Sequence, residues 1–150
     1  MVFLSILNQV KKNVSKIIEE KGYDRVGFVV EPSKGGFGDI TCNVAFLLAK
    51  SLKKSPQEIA QEFAGAYDTS QSKELNKVEA HQSGYLNFFL DVNSFNKSVL
   101  LESQKENYGS IDIGKNSKVI VEHTSVNPNK ALHIGHLRNV TIGDAISRIL

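Results

Sequence analysis

A single cysteine, Cys42, stands in 150 residues, so no internal disulfide framework holds this chain, and a reducing compartment, the cytoplasm, is its expected setting. Long apolar runs are also missing. The early cluster of Phe3, Leu4, Ile6 and Leu7 is interrupted by Asn8, Lys11 and Lys12, too soon for a signal-peptide core, and nothing approaches the length of a membrane span. No membrane partner is expected. Charge of one sign is not in excess: 18 Lys and Arg stand against 16 Asp and Glu, a net of +2 that does not argue for nucleic acid by itself. There is no internal repeat and no low-complexity tract. What remains, 41% hydrophobic and 23% charged, is the make-up of a globular protein, with length for one domain or a smaller domain plus part of another.

The charge is unevenly placed. Residues 1–112 carry 13 basic and 14 acidic side chains, whereas residues 113–150 carry five basic and two acidic ones. The positive excess lies towards the end, where an anionic ligand would be favoured.

Hydrophobic periodicity divides the first 112 residues into short elements. Phe3, Leu7, Val10, Val14 and Ile17 repeat in steps of four and three, predicting an amphipathic helix that ends near Gly22. "RVGFVVEP" predicts a strand closed by Pro32, and "SKGGFGD" a tight turn. The turn lacks the lysine and the spacing of a phosphate loop. Asp39 is placed to cap a helix with Val44, Leu47, Leu48 and Leu52 inward. "SPQE" at 55–58 is a capping box with proline at the first helical position, opening a helix with Ile59, Phe63 and Tyr67 inward. Lys77 to His81 predicts a strand, and "YLNFFLD" predicts another after the "SG" turn. On that second strand Leu86, Phe88 and Leu90 share one face, while Tyr85, Asn87 and Phe89 share the other. Val92, Phe95 and Val99 line a helix to about Asn107, and the polar "YGSIDIGKNSK" (108–118) reads as a linker.

The remainder has a different pattern. "KVIVEH" is almost continuously apolar, as in a strand of a parallel sheet covered on both faces. A loop follows, then a helix with Leu137, Val140, Ile146 and Ile149 inward. This is half of a βαβ unit, and it cannot cover its own strand without partners. Between strand and helix lies "NPNKALHIGHLRNV" (127–140), with two histidines three apart around a glycine. Such a pair can cap the helix, or bind phosphate where free N–H groups meet the positive helix end. It can also ligate a metal together with Glu122 or His123, although the metalloprotease pattern, histidines four apart with a glutamate between, is absent. His133 and His136 offer donors, Gly135 leaves room for a nucleotide against the backbone, and Lys130 adds a mobile charge, a set suited to phosphoryl or adenylyl chemistry.

The string "VEHTSVNPNKALHIGHLRNVTIGDAISRIL" resembles the HIGH region of class I aminoacyl-tRNA synthetases, and the arginyl-tRNA synthetase version in particular. Asn127 and Lys130 ahead of HIGH and "HLRN…IGD" after it carry the likeness. More loosely, "FGDITCNVAFLLAK", "SPQEIA" and "GYLNFFL" are similar to the amino-terminal domain special to that family. The resemblance implies ATP-dependent activation of arginine to arginyl-adenylate, with Mg2+ accompanying the ATP, then transfer to the 3′ end of tRNA(Arg). It implies that His133 and His136 stabilise the ATP phosphates, that the adenine packs on Gly135, and that Lys130 assists catalysis. Ser125 and Asn127 match residues that hold the arginine, and Glu122 falls in the same segment. Tyr85 and Asn87 match positions that contact the D-loop of the tRNA, the first as a stacking surface and the second as a base-edge donor and acceptor. No residue is assigned to a metal.

The expected architecture is thus an α+β amino-terminal domain, antiparallel strands with helices, over residues 1–112. Residues 113–150 then give the first strand, loop and helix of a Rossmann-type α/β catalytic domain. The resemblance further implies a monomeric parent, and a chain of this extent is expected to be inactive by itself. The other reading of the same residues is a stand-alone RNA-binding module without catalysis.

Overall fold

The computed structural model describes residues 2–110, 114 and 117–150. Two compact units, Met1–Gly109 and Ser110–Leu150, divide the chain. The boundary expected at 112/113 falls outside the described residues, as does part of the 108–118 linker.

In the first unit the apolar stripe forms α1 (Val2–Glu20), which buries Ile6, Val10, Val14, Ile17 and Ile18. Gly22, at φ +68°, ends it: the N–H groups of Gly22 and Tyr23 donate to the carbonyls of Glu19 and Ile18, the paired closure that a left-handed glycine permits. Of "RVGFVVEP" only β1 (Val30–Pro32) pairs in the sheet, because its partner is equally short. That partner, β2 (Ile40–Cys42), was not expected. "DITC" is a strand rather than a helix entry, and Asp39 does not cap α2 (Val44–Leu52). The Asp39 N–H donates to the Phe88 carbonyl (2.9 Å), and its Oδ2 accepts from the Leu90 N–H (2.8 Å), tying the glycine-rich turn to the sheet. The N-cap of α2 is Asn43, whose Oδ1 accepts instead from the Val29 N–H at 2.9 Å.

The buried stripe of α2 is Val44, Ala45 and Leu48, so Leu47, expected inward, faces solvent. α3 (Pro56–Ala66) begins with the predicted box: Ser55 Oγ accepts from the Glu58 N–H, and Glu58 Oε2 accepts from the Ser55 N–H. Ile59, Phe63 and Tyr67 are buried as expected. β3 (Leu75–Ala80) begins two residues ahead of the expected strand, and β4 (Leu86–Leu90) follows a turn at Gly84. α4 (Val92–Ser103) is capped by Asp91 and ends short of Asn107. Phe95 meets Phe3 edge-on, while Val92 is exposed.

The four strands form an antiparallel sheet in the order β1-β2-β4-β3. Ile40, Cys42, Leu86 and Phe88 point to the core, where Val10, Val14, Leu48, Ile59 and Phe63 from α1, α2 and α3 join them. On the alternate face the cross-strand row Glu31, Thr41, Asn87, Glu79 runs across all four strands. This is the α+β domain the sequence called for.

In the second unit α5 (Ile134–Ile149) forms over the predicted helix. Leu137, Ile146 and Ile149, expected inward, are instead exposed, and Gly143 is the buried residue. Residues 118–123 pair in no strand, contrary to expectation. One helix and one extended segment cannot enclose a core, and a parallel strand needs neighbours to supply its hydrogen bonds. No helix among the described residues is long and apolar enough to cross a membrane.

Candidate functional site

Two groups of residues carry the candidate chemistry, one in each unit. In the first, the β1–β2 hairpin loop and the β3–β4 turn rise on either side of the outer sheet face. Between them lies a cleft of about 320 Å³, with Ser33, Lys34, Phe37, Thr41, His81, Tyr85 and Asn87 among its lining residues. Tyr85 is 41% exposed, and the ring of Phe46, from α2, meets it edge-on at 4.8 Å between centroids. Asn87 is only 6% exposed despite lying on the outer face. The Gly38 backbone covers it: a Cβ on Gly38 (φ +88°) would lie 3.0 Å from the Phe88 carbonyl oxygen and 3.4 Å from the Asn87 Cβ. Thr41 Oγ1 donates to Asn87 Oδ1 at 3.1 Å.

Phe37 packs edge-on against the His81 ring at 4.9 Å, so His81 is part of the cleft wall. Phe89 is partly covered and lies beneath Lys77, whose Nζ is 4.4 Å from the ring centroid. Glu31 balances Lys34 at the rim. A cleft with aromatic walls, an amide and offset charges suits a flat polar heterocycle better than a bare phosphate.

In the second unit, the HIGH segment opens α5. His133 is the N-cap, in extended conformation, and its Nδ1 accepts from the Gly135 N–H at 3.1 Å. His136 Nδ1 accepts from the His133 N–H at 3.2 Å, completing a reciprocal box. The two rings stack with centroids 3.8 Å apart. A nitrogen that accepts a hydrogen bond carries no proton, so in each neutral ring the proton sits on Nε2, the atom left to meet a ligand. Capping and phosphate contact are therefore compatible. Gly135 is required by this packing, since a Cβ there would lie 2.9 Å from His133 Cε1.

Lys130 is exposed, its backbone N–H closing a turn on the Asn127 carbonyl at 3.1 Å. Glu122 and Ser125 line a shallow cleft against α5 with His123, Asn139 and Gly143, and a Cβ on Gly143 would overlap the His123 side chain. Thr124 and Ser125 both have positive φ, which bends the chain here. Among the described residues no group of three His, Cys, Asp or Glu is arranged to hold a metal ion.

The sequence did not single out Thr41, Phe37 or Phe46 for the cleft. Thr41 lies where Asp39 resembles a helix cap; its flanking Ile40 and Cys42, apolar on either side of a polar residue, are the strand signal that finds it.

Residues 5–90 match the family described as arginyl tRNA synthetase N terminal domain, and residues 96–150 match tRNA synthetases class I (R), catalytic domain. Among curated proteins, arginine–tRNA ligase of Thermococcus sibiricus is 44% identical over 144 residues, covering 93% of this chain and 22% of the relative. That of Pyrococcus furiosus is 44% identical over 151 residues, covering 97% and 24%. Among solved structures, Thermus thermophilus arginyl-tRNA synthetase is similar at 33% identity with a TM-score of 0.50, covering 95% of this chain and 22% of that one. The chain thus spans under a quarter of the length of these relatives.

Proposed function

The chain belongs to the arginyl-tRNA synthetase family, and on that premise we propose that it supplies the tRNA-contacting domain (1–112) and the start of the catalytic domain (113–150) of an arginine–tRNA ligase. The ligase converts arginine and ATP to arginyl-adenylate and pyrophosphate, then passes the arginyl group to the 3′ end of tRNA(Arg) with release of AMP, in the cytoplasm. The observation that carries this reading is the histidine pair at the open end of α5, both rings held through Nδ1 with Nε2 left for a ligand.

At that helix end the backbone N–H groups of His133 and Gly135 are already taken by the rings, so the imidazole Nε2 donors and the positive end of the helix favour negative charge on the ATP phosphates as pyrophosphate departs. Gly135 is the backbone position assigned to the adenine, which reaches it once the His133 ring lying against it turns aside, and Lys130 brings a mobile charge from the preceding turn. Ser125 and Asn127, with Glu122, are the side chains for the arginine amino and carboxylate groups. Mg2+ enters as the companion of the nucleotide phosphates, and no residue of this chain is assigned to it. On the first unit, the Tyr85 ring stacks on a D-loop base and the Asn87 amide reads its edge.

The test is arginine-dependent exchange of pyrophosphate into ATP by a protein that carries this chain within a complete catalytic domain. His136→Ala and Lys130→Ala should each slow exchange by about 100-fold, the scale of losing one transition-state donor. Unchanged rates would refute the roles given to those residues.

A further inference from the structure

We propose that Thr41 is a positioning residue for base recognition. It holds the Asn87 amide in one orientation, Oδ1 towards β2 and Nδ2 towards the cleft, so that the cleft presents a hydrogen-bond donor to an unpaired nucleobase. The proposal rests on the tRNA-contact reading of this face.

Thr41 and Asn87 are direct partners across the β2–β4 ladder, on the face away from the core. Their side chains therefore meet without any loop rearrangement. The threonine hydroxyl donates to Asn87 Oδ1 at 3.1 Å. An asparagine amide has two ends of nearly equal shape, one accepting and one donating, and rotation about its last torsion exchanges them. The threonine hydroxyl meets one of these ends. In the exchanged orientation it would turn, accept from Nδ2 and give its proton to solvent in the cleft; the structure has the other arrangement, with the hydroxyl proton on Oδ1 and Nδ2 left for the cleft.

The other end of the amide is free. No acceptor for Asn87 Nδ2 is found among the described residues, yet no fully buried side-chain nitrogen or oxygen there lacks a hydrogen bond. Nδ2 therefore retains access to solvent, and Asn87 lines the cleft. The aromatic groups of Phe37, His81 and Tyr85 border the same space, and the charges of Glu31 and Lys34 offset each other. The cleft is thus built to discriminate by a base edge and a ring face, and its amide is preset as donor before the RNA arrives.

The test is an equilibrium titration of the chain with a tRNA(Arg) transcript, each variant checked for its thermal unfolding midpoint. Thr41→Val keeps the branched shape a strand favours and removes only the hydroxyl. It should weaken binding about three- to tenfold, the scale of one lost hydrogen bond. Thr41→Ser should bind within about twofold of the unaltered chain, because the hydroxyl remains. In an Asn87→Ala background Thr41→Val should cost nothing more, as expected of a residue acting through its neighbour. Thr41→Ala serves in place of the valine variant if that fails to fold. If Tyr85→Ala and Asn87→Ala leave affinity unchanged, the tRNA-contact reading falls and this proposal with it. If those two weaken binding while Thr41→Val does not, or if its loss adds fully to that of Asn87→Ala, the positioning role alone is refuted.

Discussion

The ring of Phe46 meets that of Tyr85 edge-on, with 4.8 Å between centroids, so a residue of α2 fixes the exposed aromatic at the start of β4. A stacking surface is worth most when it does not have to be ordered on binding. Phe46→Leu should weaken tRNA(Arg) binding by about two- to tenfold, the scale of one aromatic pair, and by less than Tyr85→Ala does. Titration of both variants checks the ranking, and equal or reversed losses would count against it.

Glu62 gathers three donors from two parts of the first unit, the turn after α1 and the loop before α3. Tyr23 Oη donates to Oε1 at 2.7 Å, Lys21 Nζ to the same oxygen at 2.9 Å, and Lys54 Nζ to Oε2 at 3.2 Å. The Tyr23 hydrogen bond first, then that of Lys21, lowers the carboxyl from 4.5 to about 2. The folded state therefore binds this proton less readily than the unfolded chain does. The stabilisation is complete above about pH 4.5 and is lost as pH falls towards 2. Glu62→Gln should flatten that part of the stability–pH curve, which denaturant unfolding at a series of pH values measures. An unchanged slope would show that the three donors are not coupled to folding.

Much of this fold is legible in the sequence because local chemistry and tertiary packing agree. The α1 stripe at Val10, Val14 and Ile17, the Ser55–Glu58 box and the alternation of Leu86, Asn87 and Phe88 appear as the residues predict, while Phe3 and Leu7 are only partly buried and Ile6 and Ile18 join the buried face. β2 is not legible in the same way. A three-residue strand offers too short a period to outweigh the turn signal before it, and Asp39 resembles a helix cap until β4 supplies the groups it bonds. The exposed side of α5 is not legible for a related reason: periodicity identifies an apolar face but not what is present to cover it. At the candidate sites, Tyr85, Asn87 and the histidine pair are visible as residue types in order. The Thr41 and Phe46 supports depend on contacts between elements distant in sequence.

Cys42 is buried on β2, and desolvation pushes its thiol up to about 12. Thiolate is the reactive form, so the native chain should resist alkylation near neutral pH and react fully once denatured. Because the folded thiol keeps its proton more tightly than the unfolded one, this group removes stability as pH rises above about 9. Mass spectrometry after timed exposure to iodoacetamide measures the protection; prompt labelling of the native chain would contradict the burial.

Gly84 turns between β3 and β4 at φ +94°, and a Cβ there would lie 2.5 Å from the Pro56 Cβ. Gly84→Ala should therefore displace the start of α3 as well as strain the turn, costing about 1–3 kcal/mol for the backbone conformation alone. A lowered thermal midpoint is expected. An unaltered midpoint would mean that the turn and α3 are not in firm contact.

We propose that one polypeptide joins a tRNA-reading sheet face to the adenylate-forming segment of an arginine–tRNA ligase. Steady-state arginylation of tRNA(Arg), by a protein carrying this chain within a complete ligase, tests it most directly when run with and without Tyr85→Ala. Arginine should be attached, and the substitution should raise the KM for tRNA about tenfold, the scale of one lost base stack, while leaving kcat nearly unchanged. Absence of arginylation, or a KM indifferent to Tyr85, would contradict the account.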